Sequence, residues 1–81
     1  MAEHHLKIRP EFFESVLNGE KTFELRYDDR GFKAGDILIL REWYRDGNYY
    51  SGREIRKKVT YLLGGLGLEK GHVCMALGEE T

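Results

Sequence analysis

The sequence predicts a mostly β fold: a small barrel of about five to six strands, with one main α-helix after the first strand. Two observations lead to this prediction. Several short segments alternate polar and apolar residues, as half-buried strands do, and turn residues separate them at short intervals. Only residues 10–18 repeat their apolar side chains at helical spacing. The order strand, helix, then further strands favours a mostly antiparallel barrel whose helix covers an opening.

The first strand and the helix come from the first 19 residues. Residues 5–9 alternate polar and apolar side chains, which indicates a short half-buried strand. Pro10 suits the first turn of a helix, and Gly19 is a typical residue just beyond a helix end. We therefore predict one short amphipathic helix over residues 10–18.

The next strand, residues 21–27, alternates again and has two chemically different faces. One face carries Phe23, Leu25 and Tyr27, and the other carries Thr22, Glu24 and Arg26.

The remaining strands follow at short intervals. Residues 37–40 are all apolar, which predicts a strand covered on both sides and continuing to residue 44. Asp46 and Gly47 form the hairpin signal, and pairing across this hairpin brings Tyr44 opposite Tyr49. A long strand is then predicted over residues 53–63, and a short last strand over residues 73–77. The glycine-rich residues 64–68 lack the Lys-Ser/Thr of a phosphate loop, so we predict a turn or a lid there.

Length and charge limit the classes of function. The chain has 81 residues, the size of one domain, so residues 1–81 are taken as a single unit. Thirteen Lys and Arg against 14 Asp and Glu give a formal net charge of −1. This balance argues against a generally basic nucleic-acid-binding protein. Any site for a polyanion must come from a local cluster.

The composition also bears on compartment, membrane and metal. A single cysteine, Cys74, cannot form an internal disulfide, so we expect a cytoplasmic protein and assign Cys74 to the core as a small hydrophobe. No apolar run is long enough to span a membrane, so we expect no membrane partner. His4 and His5 point to opposite faces of a strand and no His/Cys set has ligand spacing, so we predict no metal and no cofactor.

The densest polar cluster follows the helix directly and consists of Lys21, Thr22, Glu24 and Arg26. Such a set could hold a polar planar ligand, with Arg26 as a fork donor, Lys21 as a point charge and Glu24 as an acceptor. The alternative is a solvated strand face whose ion pairs contribute little.

A second cluster spans residues 41–58, where six Lys and Arg against three Asp and Glu give a local charge of +3. Aromatic side chains among basic ones suit single-stranded nucleic acid, because bases stack and phosphates pair with the cations. The alternative is an ordinary hairpin whose aromatic residues pack on the barrel. Candidates for a binding surface around the first cluster are Arg9, Arg41, Trp43 and Arg53.

The pattern Gly19-x-Lys21-Thr22-x-Glu24-x-Arg26 resembles the G-x-K-x-x-E-x-R signature of ASCH domains in the PUA-like superfamily. From about residue 4 to residue 77 the chain is similar to a short bacterial and phage subgroup of unknown function. The resemblance implies a small β-barrel with a cleft lined by the signature residues. It also implies that the cleft binds RNA or a nucleotide-like ligand.

One branch of the ASCH family hydrolyses acetylcytidine with the motif lysine, a threonine and a late glutamate. Lys21 matches the lysine, but Glu24 stands at the threonine position and no glutamate lies inside the final strand. We therefore expect a binding module. The alternative is a hydrolase for a modified nucleoside or small amide, with Lys21 and Glu24 as an acid–base pair. A protein-interaction domain, with a partner on the aromatic hairpin, is the third hypothesis.

Overall fold

The computed structural model describes residues 1–80, and these contain five strands and one helix. The predicted mostly β fold, with its helix after the first strand, is confirmed. The elements are β1 (Glu3–Ile8), α1 (Pro10–Leu17), β2 (Phe23–Tyr27), β3 (Ile37–Tyr44), β4 (Tyr49–Gly64) and β5 (His72–Gly78). No helix in residues 1–80 is long and apolar enough to cross a membrane.

The five strands form one sheet in the order β1-β3-β4-β5-β2, which makes a half-barrel. β1 runs parallel to β3, and the other neighbouring pairs are antiparallel. β1 and β2 are therefore the two edge strands. Two arginines, one on β2 and one in the segment after it, reach β1: the Arg26 guanidinium donates to the Lys7 carbonyl oxygen, and Arg30 donates to the His5 carbonyl oxygen at 3.0 Å. The half-barrel is thus held together by side chains where its edges meet.

The core lies between α1 and the inner side of the sheet. Its buried members share an apolar side chain and come from every element except β2, with Phe32 added from the loop before β3: Leu6, Ile8, Phe13, Val16, Phe32, Leu38, Leu40, Val59, Val73 and Met75. Pro10 occupies the first turn of α1, as predicted, and Asn18 ends the helix. Phe13 and Val16 are the α1 side chains that this arrangement buries.

The apolar run at the start of β3 is covered on both sides, as predicted. All four side chains from Ile37 to Leu40 are at most 2% exposed. Leu38 and Leu40 belong to the core, whereas Ile37 and Ile39 face the outer side of the sheet. There the Arg56 guanidinium of β4 bonds Glu3 of β1 at 2.9 Å, so this ion pair passes across β3.

The two faces of β2 are oriented so that the charged face points inward. Glu24 is only 4% exposed, whereas Phe23 and Leu25 are 46% and 50% exposed. The register with β5 explains this, since Glu24 lies beside Met75, which is fully buried. The alternation is therefore confirmed, but the apolar side chains face outward.

The assignment of Cys74 to the core is wrong. Its neighbours along β5, Val73 and Met75, are buried, so Cys74 faces the outer side and is partly exposed.

The predicted cross-strand pair of the β3–β4 hairpin is confirmed, with the rings of Tyr44 and Tyr49 stacked at 5.0 Å. The long strand β4 begins at Tyr49, earlier than the predicted residue 53.

Asp36 is a buried carboxylate that ties the start of the chain to the turn before β3. It accepts hydrogen bonds from His4 Nε2 at 2.9 Å and from the backbone N–H groups of Ala2 and Lys33. Burial acts to raise the pKa of Asp36, but the bonds from His4, Ala2 and Lys33 outweigh it and hold the pKa below its usual value. The bonds therefore stabilise the fold most when the carboxylate is ionised.

We expect Asp36→Asn to lower the free energy of unfolding by about 2 kcal/mol at neutral pH. The pKa of Asp36 is lower in the folded protein than in the unfolded chain. The stability that its hydrogen bonds contribute is therefore complete above the unfolded pKa of about 3.9 and is lost as the pH falls through the folded pKa. Urea unfolding of both proteins over a pH series measures the difference. The two curves should converge in acid, and a gap that stayed constant down to the lowest pH would contradict the assignment.

Candidate ligand-binding cleft

A cleft of about 630 Å³ opens along the free edge of β2. This volume lies in the range of small-molecule sites, roughly 300–1,000 Å³. The residues that line it come from β1, the start of α1, β2, the start of β5 and the connections on either side of α1: Lys7, Arg9, Phe12, Lys21, Phe23, Glu24, Leu25, Arg26, Tyr27 and His72. The cleft is therefore located where the two edge strands meet.

A buried carboxylate organises the polar side of the cleft. Lys21 Nζ lies 2.6 Å from Glu24 Oε1, and Arg26 Nε lies 2.7 Å from Glu24 Oε2. The side chains of Lys21 and Arg26 are 16% and 27% exposed. This cluster is therefore an ordered network at the wall of an open cleft and not a solvated strand face.

The end of α1 places Lys21 in this network. Gly19 has a φ of +86°, which turns the chain sharply, and the Lys21 backbone N–H donates to the Ser15 carbonyl at 2.9 Å. The Lys21 ammonium lies 5.7 Å from the Phe12 ring centre and 5.1 Å from that of Phe23. An ammonium has three donors, of which Glu24 and the Phe23 carbonyl take two. One donor remains for a ligand.

Arg26 and Arg9 contribute two further cations. The Arg26 guanidinium is held by Glu24 and by the Lys7 carbonyl, while its Nη1 has no hydrogen-bond partner among residues 1–80. Arg9 lies at the rim, is exposed, and its side chain forms no ion pair within those same residues. Both guanidinium groups therefore retain donors that can bind an anion.

The cleft is locally basic although the whole chain is not. Its lining has four cations, Lys7, Arg9, Lys21 and Arg26, and one carboxylate, so its formal charge is 4 − 1 = +3. The whole chain carries a formal charge of −1. The positive charge that an anionic ligand requires is therefore concentrated here.

Six lining residues were not among the predicted site residues: Lys7, Phe12, Phe23, Leu25, Tyr27 and His72. His72 lines the cleft, its ring meets Tyr27 edge-on at 5.5 Å, and its Nδ1 is buried without a partner among residues 1–80. The aromatic face of β2 was visible in the sequence. Its place beside the cleft depends on β2 being an edge strand.

Thr22, Arg41 and Trp43 do not line the cleft. Thr22 is exposed, and its carbonyl accepts a backbone bond from Leu77 at 2.9 Å. Arg41 lies 3.7 Å from Glu54 and stacks over the Tyr50 ring. The Trp43 indole donates to Asn48 at 2.9 Å.

Arg53 is engaged in a different ion-pair network. Its Nε and Nη2 bond the two oxygens of Glu42 at 3.0 and 2.9 Å, and Nη2 also bonds Glu14 of α1. Glu42 is only 1% exposed, and the hydrogen bonds from Arg53 hold the pKa of Glu42 below its usual value. Arg53 therefore fastens α1 to β3 and β4.

The local charge of +3 over residues 41–58 is offset by carboxylates from outside the segment. Arg53 bonds Glu14, Arg56 bonds Glu3 and Glu80, and Lys57 bonds Glu79. A charge count within one segment misses these partners because they are distant in sequence. The cleft, whose cations outnumber its carboxylates after folding, is the stronger candidate for an anion site.

No group of three or more His, Cys, Asp or Glu side chains within residues 1–80 is placed to hold a metal ion. The cleft itself has one carboxylate and one histidine, Glu24 and His72. Its other charged side chains are cations, and aromatic rings form part of its walls.

Comparison with known proteins finds a family and a phage relative. The family described as a domain of unknown function, DUF3850, matches residues 3–77, a range that includes every residue lining the cleft. An uncharacterized 12.9 kDa protein in the GpA 3′ region of Escherichia phage P2 is 37% identical over 57 residues. This match covers 70% of the chain and 50% of the phage protein, so the chain spans about half the length of that relative.

Proposed function

This chain belongs to the DUF3850 family, and we propose that it is a binding module that holds RNA or a nucleotide-like ligand in the cleft beside β2. The observation that carries the proposal is the composition of that cleft: a local charge of +3 next to three aromatic rings. Phosphates require cations and bases require flat apolar surfaces, so this combination fits a nucleotide.

The resemblance of the signature to ASCH domains of the PUA-like superfamily supports the same proposal. Lys21, Glu24 and Arg26 occupy the signature positions, and all three line the cleft. The family match itself carries no activity, since its description is a domain of unknown function.

The contacts suggest a division of roles within the cleft. Arg9, Lys21 and Arg26 keep free donors and would bind phosphate oxygens. Phe23 and Tyr27 are exposed aromatic rings on which a base could stack. Both oxygens of Glu24 are already occupied by Lys21 and Arg26, so Glu24 positions the two cations.

Hydrolysis of a modified nucleoside is the second candidate function, because Lys21 Nζ lies 2.6 Å from Glu24 Oε1. An acid–base pair needs an atom that faces the substrate and can exchange a proton with it. The two Glu24 oxygens both accept bonds from cations, and the threonine of the hydrolytic branch is absent. Binding is therefore favoured. Turnover of any member of a panel of acylated nucleosides by the purified protein would reverse this preference.

We also propose that the module works in the cytoplasm. Its one cysteine, Cys74, is a free thiol, which suits a reducing compartment.

We expect Lys21→Met and Arg9→Gln each to weaken binding of a 5′-mononucleotide and of short single-stranded RNA by about tenfold. Each variant removes a cation from the cleft while retaining much of the side chain. Fluorescence anisotropy over a salt series measures this, and each variant should lower the slope of log K against log salt by about one. Duplex RNA and DNA of the same length show whether single strands are preferred.

Lys33→Met and Arg45→Gln are the matched controls, since they make the same charge changes at exposed positions outside the cleft. They should bind within about twofold of the unchanged protein if the site is local. Equal losses in the cleft and control variants would place the binding elsewhere. A folded protein that binds neither nucleotides nor RNA would overturn the proposal.

A further inference from the structure

The outer side of β2, β5 and β4 carries an apolar face. The strand register aligns its side chains in two rows, Phe23–Ala76–Tyr61 and Leu25–Cys74–Leu63. Neither row contains a charged residue. The face differs in chemistry from the cationic wall of the cleft, although Phe23, Leu25 and Tyr27 line both.

The exposed area of this face is large for an 81-residue chain. Phe23 and Leu25 are 46% and 50% exposed, and Tyr61 and Leu63 are 65% and 38% exposed. Tyr27, which follows on β2, is 60% exposed. At about 100 Å² for each half-exposed side chain, the five provide roughly 500 Å². This is near the upper end for the largest apolar patch of a monomer, about 300–600 Å².

The shape of the face makes it complementary to itself. The central strand β5 presents the small side chains of Ala76 and Cys74, while the flanking strands present large ones. The face is therefore a shallow groove between two ridges. When two copies meet about a twofold axis, a ridge of each can enter the groove of the other.

We propose that this face binds the same face of a second copy of the chain, so that the protein forms a symmetric dimer. Two copies would bury roughly 1,000 Å² from these five side chains alone, which reaches the lower limit for a specific interface. The core of a protein interface is depleted of charged residues on both sides, so an apolar face without charges suits the same face of a second copy. This inference rests on the exposed apolar area and not on the proposed ligand of the cleft, although a dimer would cover Phe23 and Tyr27, the two rings proposed to stack a base.

Sedimentation over a wide range of protein concentration tests the proposal. We expect the mass to rise from one chain to two, and Tyr61→Lys or Leu63→Lys to weaken association by about a hundredfold by placing like charges in the interface. Neither residue lines the cleft. Tyr49→Lys is the matched control, because Tyr49 is a 52% exposed tyrosine on the same strand but outside the face. It should dimerise normally, and thermal melting confirms that all variants fold.

The single thiol of Cys74 gives a second measurement, since it lies on the floor of the groove. Its alkylation rate should fall as the protein concentration rises, and should stay at the fast, monomeric rate in Tyr61→Lys. A monomer at every concentration, with one constant alkylation rate, would overturn the proposal. So would a monomer in which Tyr61→Lys selectively abolished RNA binding, because the face would then serve nucleic acid.

Discussion

Replacing Arg53 by leucine is expected to destabilise the fold strongly at neutral pH, and the loss of stability should shrink as the pH falls. Arg53 bonds both oxygens of Glu42, whose side chain is only 2% exposed. Leucine retains an apolar side chain next to the Phe13 ring, over which the guanidinium lies at 4.7 Å. The substitution therefore removes the cation and leaves a buried carboxylate without its partner.

Leaving a buried carboxylate without its cation lowers the free energy of unfolding by about 3 kcal/mol or more. In the unchanged protein the bonds from Arg53 lower the pKa of Glu42, so this pair stabilises the fold above the unfolded pKa and the contribution is lost in acid. In the variant the hydrogen bond from Ser51 still lowers the pKa of Glu42 and burial still acts to raise it, but the contribution of Arg53 is gone. The difference in stability between the two proteins is therefore largest near neutral pH and shrinks as the pH falls and Glu42 becomes protonated.

Urea unfolding of Arg53→Leu over a pH series measures both effects. Arg41→Leu is the matched control, because Arg41 pairs with the exposed Glu54 at 3.7 Å and such surface pairs contribute little. The double variant Glu42→Gln/Arg53→Leu should be more stable at neutral pH than Arg53→Leu, since no charge remains buried. A loss of stability that was equal at every pH would show that Glu42 is not the cause.

The same residues show which parts of the structure could be predicted from the sequence. The strand at Ile37–Leu40, the pair Tyr44–Tyr49 and the helix after β1 follow from patterns within a few residues, and all were predicted. The role of Arg53 could not be predicted in this way. Its partner Glu14 lies 39 residues earlier, and only the folded sheet brings the two together.

Alternation along a strand defines two faces but does not say which one is buried. In β2 the face that turned inward is the charged one, because Glu24 can satisfy its oxygens with Lys21 and Arg26. The same ambiguity applies to β5, where Cys74 was assigned to the core but faces the outer side of the sheet. The cleft residues Lys21, Glu24 and Arg26 lie close in sequence and were found, whereas Lys7 and His72 required the sheet order that makes β1 and β2 its edges.

Glu24→Gln is the variant that separates two explanations of binding in the cleft. The change raises the formal charge of the cleft from +3 to +4, so attraction of phosphate by net charge alone predicts tighter binding. The structure predicts the opposite. Glu24 fixes Lys21 at 2.6 Å and Arg26 at 2.7 Å, and without the carboxylate both cations lose the position in which they would meet a ligand.

We therefore expect Glu24→Gln to weaken binding of a mononucleotide by about tenfold or more, although it adds positive charge. Glu20→Gln is the matched control: it makes the same charge change four residues earlier, where Glu20 is exposed and, within residues 1–80, its side chain bonds only to Asn18. Calorimetric titration at a temperature where both variants are folded gives the two affinities. Tighter binding by Glu24→Gln would mean that the cleft attracts its ligand by charge alone, and unchanged binding would place the ligand away from this network. Weaker binding by Glu24→Gln with no loss in Glu20→Gln would identify the buried carboxylate as the group that orders the cations for their ligand.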